Sequence, residues 1–313
     1  MMDKETANQN LRPLVLSALE DFRRLLQSIA LFHAIFWGLM TFEVLLIALF
    51  FSFLVHLALI ALSIALLTLT FFSYFILKFW IYTKKREDFI TLADAFQESV
   101  QRLMGEEETT FAYYASLAKA FLTLSDALKK SPPSPGKAHY LWINSFYPLI
   151  TYCYKKLSHK NLLFIQELIL GRTTHLWLEF IRKAPTHLEA HAALASTYIT
   201  FSTFFAEDKK HKERFTTLVQ KAAEEFKILS DYSPNDIWAH TQLAYTYHDL
   251  NMRREEIKEY EAILILHPKD IDTLFKLGVL YFQEGFASKA LSLYEELRKL
   301  NPQKSNELIN FYA

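Results

Sequence analysis

The stretch DTLFKLGVLYFQEGFASKALSLYEELRKLNP, residues 272–302, decides the fold of the second half of the chain. It ends at Pro302, the last of three prolines that stand 34 residues apart; the others are Pro268 and Pro234. The residues around the three prolines agree in phase with this period. Since proline stops a helix and lets the chain turn, the period predicts a series of stacked helical hairpins.

The unit that begins at Ile271 resembles the tetratricopeptide repeat (TPR). In that family, small residues at positions 8 and 20 let two helices cross closely, and proline at position 32 ends the second helix. The resemblance implies an α-solenoid of TPR-like helical hairpins. The residues at positions 4, 7, 8, 11, 20, 24, 27 and 32 are Leu274, Leu277, Gly278, Tyr281, Ala290, Tyr294, Leu297 and Pro302.

Two earlier units share this pattern, and each departs from it in one respect. The unit from Ile237 has Glu256 at position 20 in place of a small residue, so we expect its two helices to be splayed or shifted. The unit from Leu188 has halves that lie 15 residues too far apart, and the surplus around residues 206–215 should extend its helices or their connection. The residues at the eight positions are His240, Leu243, Ala244, Tyr247, Glu256, Tyr260, Ile263 and Pro268 in the first of these units, and His191, Leu194, Ala195, Tyr198, Ala222, Phe226, Leu229 and Pro234 in the second.

The flanks of the array carry further parts of the pattern. Residues 305–312 follow Pro302 and resemble the start of another first helix, which would cap the array. Pro185 precedes Leu188 at the spacing seen in the third unit. That spacing predicts one more, eroded repeat across about residues 154–187.

The first part of the chain is apolar enough to enter a membrane. Between Arg24 and Lys78 lie 53 residues with a single formal charge, Glu43. One helix of that length would extend about 80 Å, against about 30 Å for the hydrocarbon core, so we expect two passes. A re-entrant or kinked arrangement is the alternative. We place the first pass at residues 29–51 and the second at residues 54–81, with the reversal near residues 52–56.

The flanking charges predict the orientation of this hairpin. Arginines at 23–24 precede the first pass and three basic residues at 84–86 follow the second, whereas the connection has no Lys or Arg. The positive-inside rule therefore places both ends on the cytoplasmic side of a bacterial inner membrane. A cleaved signal peptide fits poorly, because the apolar stretch starts late and is far too long. Residues 11–26 have amphipathic helical spacing, so they either lie along the membrane surface or continue into the first pass.

Glu43 lies in the middle of the first pass, where an ionised carboxylate is costly. One interpretation is an ion-coupling or proton-relay group. The other is a protonated carboxyl that bonds to Ser63 or Thr68 on the second helix, or to a partner subunit. We favour the second, because a single acid in a two-pass hairpin does not form a pathway by itself.

Composition and punctuation divide the chain into four parts. Only 6 Gly and 9 Pro occur among 313 residues, too few for the turns of a β-sandwich or for Gly-rich phosphate loops, so we predict an all-α protein. The third part has a Pro-rich linker at 131–137 and helices at 84–130, with an interruption at 105–108, at 140–157, kinked by Pro148, and at 162–183. The four parts are an amphipathic segment (1–28), a transmembrane hairpin (29–82), a helical region with degenerate repeats (83–187) and TPR-like repeats with a C-terminal cap (188–313).

Charge and motif content argue against several classes of function. Lys plus Arg equals Asp plus Glu at 34 each, so the net charge does not favour a nucleic-acid partner. Cys153 is the only cysteine, and the histidines lack the thiolates and clustered carboxylates of a metal site. The sequence has no Walker-type, GxSxG or HExxH motif. We therefore predict that the protein is not an enzyme and needs no cofactor, metal or small-molecule substrate.

The TPR resemblance also implies a binding surface. In that family the first helices of the repeats line a groove that holds a protein or peptide. If the aromatic residues at these positions are uncovered, they would anchor a partner helix or an extended peptide. The alternative is that the cap or the inserted segment covers them. The groove positions that we select are Trp238, Thr241, Tyr245, His248, Phe275, Val279 and Phe282.

These observations lead to one functional hypothesis and an alternative. The hypothesis is a TPR adaptor that is anchored in the lipid bilayer by its hairpin and binds a protein partner through a cytoplasmic groove. The alternative is an integral subunit of a membrane transport or secretion assembly, in which the hairpin itself is functional.

Overall fold

A computed structural model describes residues 4–56, 59–104, 110–130, 147–206 and 209–311. Every regular element in these ranges is helical, as the composition predicts. Contacts divide the chain into two compact units, Met1–Thr173 and Thr174–Ala313. The α-helices are α1 (Lys4–Leu49), α2 (Phe51–His56), α3 (Ile60–Met104), α4 (Phe111–Lys130), α5 (Tyr147–Lys183), α6 (Leu188–Ser202), α7 (Lys212–Tyr232), α8 (Ile237–Asp249), α9 (Arg253–Leu266), α10 (Ile271–Gln283), α11 (Ala287–Leu300) and α12 (Pro302–Ile309).

The first unit is built on two helices of 46 and 45 residues, α1 and α3, which pack against each other and against α4. The N-terminal half of α1 is a core helix: its apolar stripe is buried, and the Phe22 ring stacks on Phe89 of α3 at 6.0 Å. The amphipathic segment therefore continues into the apolar region as one helix and does not lie apart on a surface. The buried residues of this stripe are Leu11, Val15, Ala18, Leu19, Phe22 and Leu26.

Polar contacts join α5 to α3 and α4 in the same unit. The side chains of Ser125 and Gln166 are buried: the Ser125 hydroxyl donates to Gln166 Oε1 at 2.5 Å, and Gln166 Nε2 donates to the backbone carbonyl of Ser125 at 2.9 Å. Arg172 forms an ion pair with Asp94 at 2.5 Å. Because both ends of the Ser125–Gln166 contact are desolvated, it fixes the register of α5 more strongly than an exposed pair would.

The other halves of α1 and α3 expose their apolar side chains. From Ile35 to Tyr82 most large hydrophobic residues are exposed, including Leu45, Leu62 and Phe79 at 66%, 68% and 76%. Within the described ranges, two helices are long and apolar enough to cross a membrane, and their most apolar windows are only 22% and 11% buried. The core helix of a soluble protein would be mostly buried, whereas an exposed apolar surface of this extent is typical of contact with a membrane or with another protein. A short helix, α2, occupies the place of the expected reversal.

Two polar contacts join α1 to α3 inside this apolar region. Thr70 donates a hydrogen bond to Glu43 Oε1 at 2.8 Å, and His33 Nδ1 lies 3.1 Å from the hydroxyl of Tyr74. The prediction that Glu43 bonds to Ser63 or Thr68 is thus wrong in its partner. The hydroxyls of these two residues bond instead to backbone carbonyls four residues earlier in the chain, as Ser and Thr side chains in apolar helices often do.

The predictions for residues 140–187 need correction. The structure has one helix, α5, where the sequence suggested separate helices at 140–157 and 162–183. Pro148 stands in the first turn of α5, where its missing N–H costs nothing, so it does not kink the helix. A single helix also excludes a complete eroded repeat across 154–187. The linker at 131–137 and the interruption at 105–108 lie outside the described residues.

The second unit is the TPR-like solenoid that the period predicts. Each helix from α6 to α12 packs on the next one, and α10 also contacts α12. The residues at the helix-crossing positions are buried, and those of the first and third pairs are small: Ala195 with Ala222, and Gly278 with Ala290. Small side chains allow the close approach that buries the apolar faces of both helices in a pair. This unit therefore confirms the resemblance drawn from residues 188–313.

Two turns between helix pairs also contain an aspartate N-cap, which the proline period alone does not predict. In the sequences after Pro234 and Pro268, an aspartate two residues later caps the next first helix: Asp236 accepts from Trp238 N and Asp270 from Thr273 N. Proline thus ends one helix, and the Asp side chain satisfies a free N–H of the next. Pro302 differs, because it is itself the first residue of α12, which Asn301 caps.

The 15 surplus residues of the first repeat are distributed as expected. Helices α6 and α7 have 15 and 21 residues, against 13 and 14 in each of the next two pairs. The connection between them includes the 3-10 turn Lys209–His211. Both the helices and their connection are therefore longer. The expected cap is present as α12, although it begins at Pro302 and not at Ser305.

Candidate functional site

The candidate groove residues of α8 form an exposed strip. Trp238 and Tyr245 are 46% and 44% exposed, and the side chain of His248 is 70% exposed. Residues at this spacing lie on one face of a helix. The Trp238 ring meets Phe226 of α7 edge to face at 5.7 Å, which fixes its position without burying it. Thr241 is half-buried, and its hydroxyl bonds to the Ile237 carbonyl of its own helix.

Lys276 links this strip to α10, the first helix of the next pair. Its Nζ lies 4.6 Å from the centre of the Tyr245 ring and donates a hydrogen bond to the Tyr245 hydroxyl at 3.0 Å. The same amine is 5.9 Å from the ring of Tyr260, whose pKa is raised, first by burial and then by the charge of Glu256. A cation held over two tyrosines fixes the orientation of the Tyr245 ring at the surface.

The groove residues of α10 are largely covered. Phe275 meets the ring of Phe311 at 6.3 Å, and Val279 and Phe282 pack against a buried cluster of Leu274, Leu297 and Leu308. Lys304 of α12 also forms an ion pair with Asp272 of α10. The C-terminal segment thus covers this part of the groove, and Trp238, Tyr245 and His248 form the open part, which we call the α8 strip.

Gly278 explains how α12 comes so close to α10. A Cβ atom added at Gly278 would lie 2.7 Å from Cδ2 of the fully buried Leu308, inside the normal van der Waals distance. The glycine at position 8 therefore serves the cap as well as the crossing of α10 with α11.

His248 pairs with a buried acid beneath the α8 strip. Its Nδ1 lies 3.1 Å from Oε1 of Glu256, a residue that is only 4% exposed. The second oxygen, Oε2, is buried and has no hydrogen-bond partner among the described residues. Burial raises the pKa of Glu256, and the charge of His248 opposes this shift. Position 20 thus holds a desolvated and half-satisfied carboxylate where the other two repeats have alanine.

The remaining predicted sites are placed as follows. His191 and His240, on different helices, each bond to a glutamate and to a proline carbonyl. In the part of the chain that the structure describes, there is no group of three or more His, Cys, Asp or Glu side chains that could hold a metal ion. The side chain of Cys153 is not among those described.

Comparison with known proteins gives likeness of fold alone. No protein-family model matches the sequence, and no curated protein is similar to it. Among solved structures, MamA from Desulfovibrio magneticus RS-1 is 11% identical, with a TM-score of 0.33 over 59% of this chain and 96% of that one. A thermophilic TPR protein from Thermus thermophilus is 19% identical, with a TM-score of 0.33 over 69% of this chain and 96% of that one.

A third solved structure is YrrB, described as a TPR protein with an unusual peptide-binding site; it is 12% identical, with a TM-score of 0.33 over 67% of this chain and 97% of that one. These likenesses are too distant to transfer any property to this chain. The TPR-like nature of the second unit follows from its own helix pairs, their crossing residues and their capped turns.

We predict that Glu256→Ala stabilises the protein by about 1 kcal/mol near neutral pH, because it removes a buried carboxylate with an unpaired oxygen and installs the better helix former. Since the raised pKa means that the folded state holds its proton more tightly, the part of the gain that comes from the buried charge should vanish in acid, where the wild-type carboxyl is neutral, and only the smaller helix-propensity part should remain. Urea unfolding of the full chain in mild detergent, at about pH 7 and about pH 4.5, measures both effects.

Glu255→Ala is the matched control for this variant, because it makes the same change one residue earlier in α9 at a less buried carboxylate. It should change the unfolding free energy by less than about 0.5 kcal/mol, or lower it slightly through the helix dipole. Equal losses of stability in both variants would show that Glu256 is a favourable element of the repeat.

Proposed function

We propose that the protein is a membrane-anchored adaptor whose TPR-like unit binds a protein or peptide partner. The observation that carries this proposal is the α8 strip, in which two large aromatic side chains remain about half exposed on the first helix of a repeat. Its groove neighbours on α10 are covered by the C-terminal segment of the chain. The partner is a protein segment, and the proposal includes no nucleic acid, small-molecule substrate or catalytic step.

The chemistry of the α8 strip suits a protein segment. Trp and Tyr are enriched among the few residues that carry most of the free energy of protein association, because each brings a large apolar area at a small entropic cost. Tyr245 is already oriented by Lys276, and Trp238 by Phe226. Pre-oriented side chains lose less entropy on binding, so the strip is suited to an apolar anchor from a partner helix or extended peptide.

The anchoring part of the proposal rests on the exposed apolar region of α1 and α3. This surface runs from Ile35 to Tyr82, and Lys84 and Lys85 follow it. Lys84 lies 5.0 Å from the Trp80 ring and Lys85 lies 4.9 Å from the Tyr82 ring. Aromatic and basic residues together are typical of the border between hydrocarbon and headgroups. We propose two passes in a bacterial inner membrane, with both termini in the cytoplasm.

We expect a photoreactive phenylalanine analogue at position 238 or 245 to form the same protein adduct in native membranes. The same analogue at Ile265, which is 80% exposed on α9, should not form it. Trp238→Ala should reduce the adduct formed from position 245 at least tenfold, on the scale of about 1.4 kcal/mol for one lost anchor. Mass spectrometry of the adducts is the measurement.

The matched control for Trp238→Ala is Phe286→Ala, which removes an aromatic side chain that is 51% exposed outside the α8 strip. It should leave the adduct unchanged. If Trp238→Ala does not change the amount of adduct formed from position 245, or if position 265 forms the same adduct, the α8 strip is not the binding surface.

The topology predicts which positions a membrane-impermeant maleimide can reach in intact cells. With Cys153→Ser as background, a cysteine introduced at Ser52, in the connection between the passes, should be labelled from outside. A cysteine at the exposed Lys269 should be labelled only after the cells are opened. Labelling of the Lys269→Cys variant in intact cells would place the repeats on the wrong side for this proposal.

A second function, as an integral subunit of a membrane transport or secretion assembly, is favoured by one observation. Oε2 of Glu43 is buried without a hydrogen-bond partner among the described residues. It lies beside a cavity of about 270 Å³ lined mainly by apolar side chains, with Ser63 as the other polar residue. A polar atom left unpaired in an apolar region is a position where another subunit or an ion would be stabilised.

Replacement of residues 35–73 by an unrelated two-pass hairpin distinguishes the two functions, because it keeps the buried half of α1 and, from Tyr74 onward, the buried face of α3. For an adaptor, the adduct from position 238 and the membrane proteins that co-purify in mild detergent should both persist. For an integral subunit, the co-purifying membrane proteins should be lost. Glu43→Gln alone should reproduce that loss if the carboxyl is the contact.

A further inference from the structure

Two histidines in the second unit have the same surroundings in successive repeats. His191 and His240 both occupy position 4 of their units, and each follows the preceding proline by six residues. Nε2 of His191 lies 2.9 Å from the Pro185 carbonyl, and Nε2 of His240 lies 3.0 Å from the Pro234 carbonyl. The first helix of each pair is thereby bonded to the turn that precedes it.

The other ring nitrogen bonds to a glutamate on the second helix of the same pair. Nδ1 of His191 is 2.5 Å from Glu225 of α7, and Nδ1 of His240 is 2.6 Å from Glu259 of α9. Both contacts are largely buried: the histidine side chains are 7% and 11% exposed, and the glutamate side chains 17% each. Each imidazole therefore joins three segments, namely the proline turn, the first helix and the second helix.

This geometry requires one more proton than a neutral imidazole supplies. A carbonyl oxygen and a carboxylate oxygen only accept hydrogen bonds, whereas a neutral imidazole has a single N–H. Both bonds form only if the ring is an imidazolium or if the glutamate is protonated and donates to Nδ1. In either case the folded pair holds an additional proton in the contact between Nδ1 and Oε2. Without it, a lone pair faces a carboxylate in a poorly solvated place.

We propose that the histidine pairs His191–Glu225 and His240–Glu259 are proton-dependent clamps, which hold the first two helix pairs closed and loosen as the pH rises. The third repeat has no such clamp, since position 4 there is the fully buried Leu274. The clamps thus make two of three similar repeats sensitive to pH, within one continuous array.

The surrounding charges agree with this proposal. Burial by itself lowers the pKa of His240, but its bonds to Glu259 and Pro234 and the charges of Glu259 and Asp236 outweigh burial, so the pKa is raised. In the first pair, burial and then the charges of Glu225 and Glu224 raise the pKa of Tyr198, and Lys221 Nζ lies 5.7 Å from its ring.

The raised pKa of His240 sets the direction of the pH effect. Because the folded state keeps a proton that the unfolded state loses at its ordinary histidine pKa, the stabilisation is complete below that pKa. It is lost as the pH rises through the raised, folded-state value.

The clamps have a direct consequence for the α8 strip. His240 lies on the same helix as Trp238 and Tyr245, between them in sequence. Opening of the clamp removes the side-chain bonds of α8 to the Pro234 turn and to α9, and so loosens the helix that carries both aromatic side chains. A partner that binds the strip would be held more weakly at alkaline pH. The clamp itself does not depend on this binding, and it is tested without a partner.

Hydrogen exchange with mass spectrometry tests the clamps in the full chain, reconstituted in lipid nanodiscs, from about pH 6 to about pH 9. After correction for the intrinsic rate, the protection factors of peptides from α6 to α9 should fall several-fold as the pH rises. For each clamp, which binds one proton, the protection factor should change by at most about tenfold per pH unit. Peptides from α10 and α11, which lack the clamp, are the internal control. Equal corrected behaviour in all three repeats would overturn the proposal.

The variant Glu225→Gln with Glu259→Gln separates proton coupling from simple packing. A glutamine amide donates an N–H to Nδ1 of a neutral ring, so both bonds persist with no additional proton. Protection should therefore become independent of pH and stay high at about pH 9. Retention of the wild-type slope in this variant would also overturn the proposal.

If that variant fails to fold, His240→Leu with Glu259→Leu copies the apolar position 4 of the third repeat at one clamp only. It should abolish the slope in α8 and α9 and leave the slope in α6 and α7. A slope that persists in α8 and α9 would overturn the proposal.

Discussion

The second unit depends on the close approach of paired helices. An amphipathic helix of 13 or 14 residues has too little buried surface to be stable by itself, and it gains that surface only where a partner comes near. Ala244 and Ala290 are completely buried at such crossings. Each pair then offers a new apolar face, which the next pair covers, so that stability spreads along the array by contacts between neighbours. The last face is covered by α12, whose Leu308 fits over Gly278.

The repeats share their apolar packing but differ in the polar side chains placed within it. In the second repeat, Glu256 occupies a crossing position, with one oxygen paired with the exposed His248 and the other without a partner in the described part of the chain. Aspartates after the prolines cap two first helices, and histidines at position 4 bond back to the turns. Because these caps and histidine bonds join neighbouring segments of the same unit, the polar contacts specify the register of helices whose apolar faces are similar.

The helices of the array could be predicted from the sequence, because prolines 34 residues apart and small residues at most crossing positions resemble the TPR pattern. The long insertion in the first repeat was located for the same reason. Other features depend on contacts between residues distant in sequence. The single helix α5, the bond of Glu43 to Thr70 and the coverage of Phe275 by Phe311 belong to this second class. Of the seven predicted groove residues, only the open ones on α8 keep the exposure that their spacing suggested; their role in binding stays a prediction.

Because α1 is one continuous helix, it connects the core of the first unit rigidly to the apolar region. At 1.5 Å per residue its 46 residues form a rod of about 69 Å, and the only proline within it, Pro13, lies near the N-terminal end. The residues buried in the core of the first unit and those exposed in the apolar region are thus parts of one stiff element without a proline hinge between them. A twist or tilt of the apolar half of α1 would therefore move the residues that the same helix buries in the core of the first unit. In the anchored arrangement that we propose, a tilt of the apolar half of α1 would be transmitted directly to the buried half, because no flexible linker separates them.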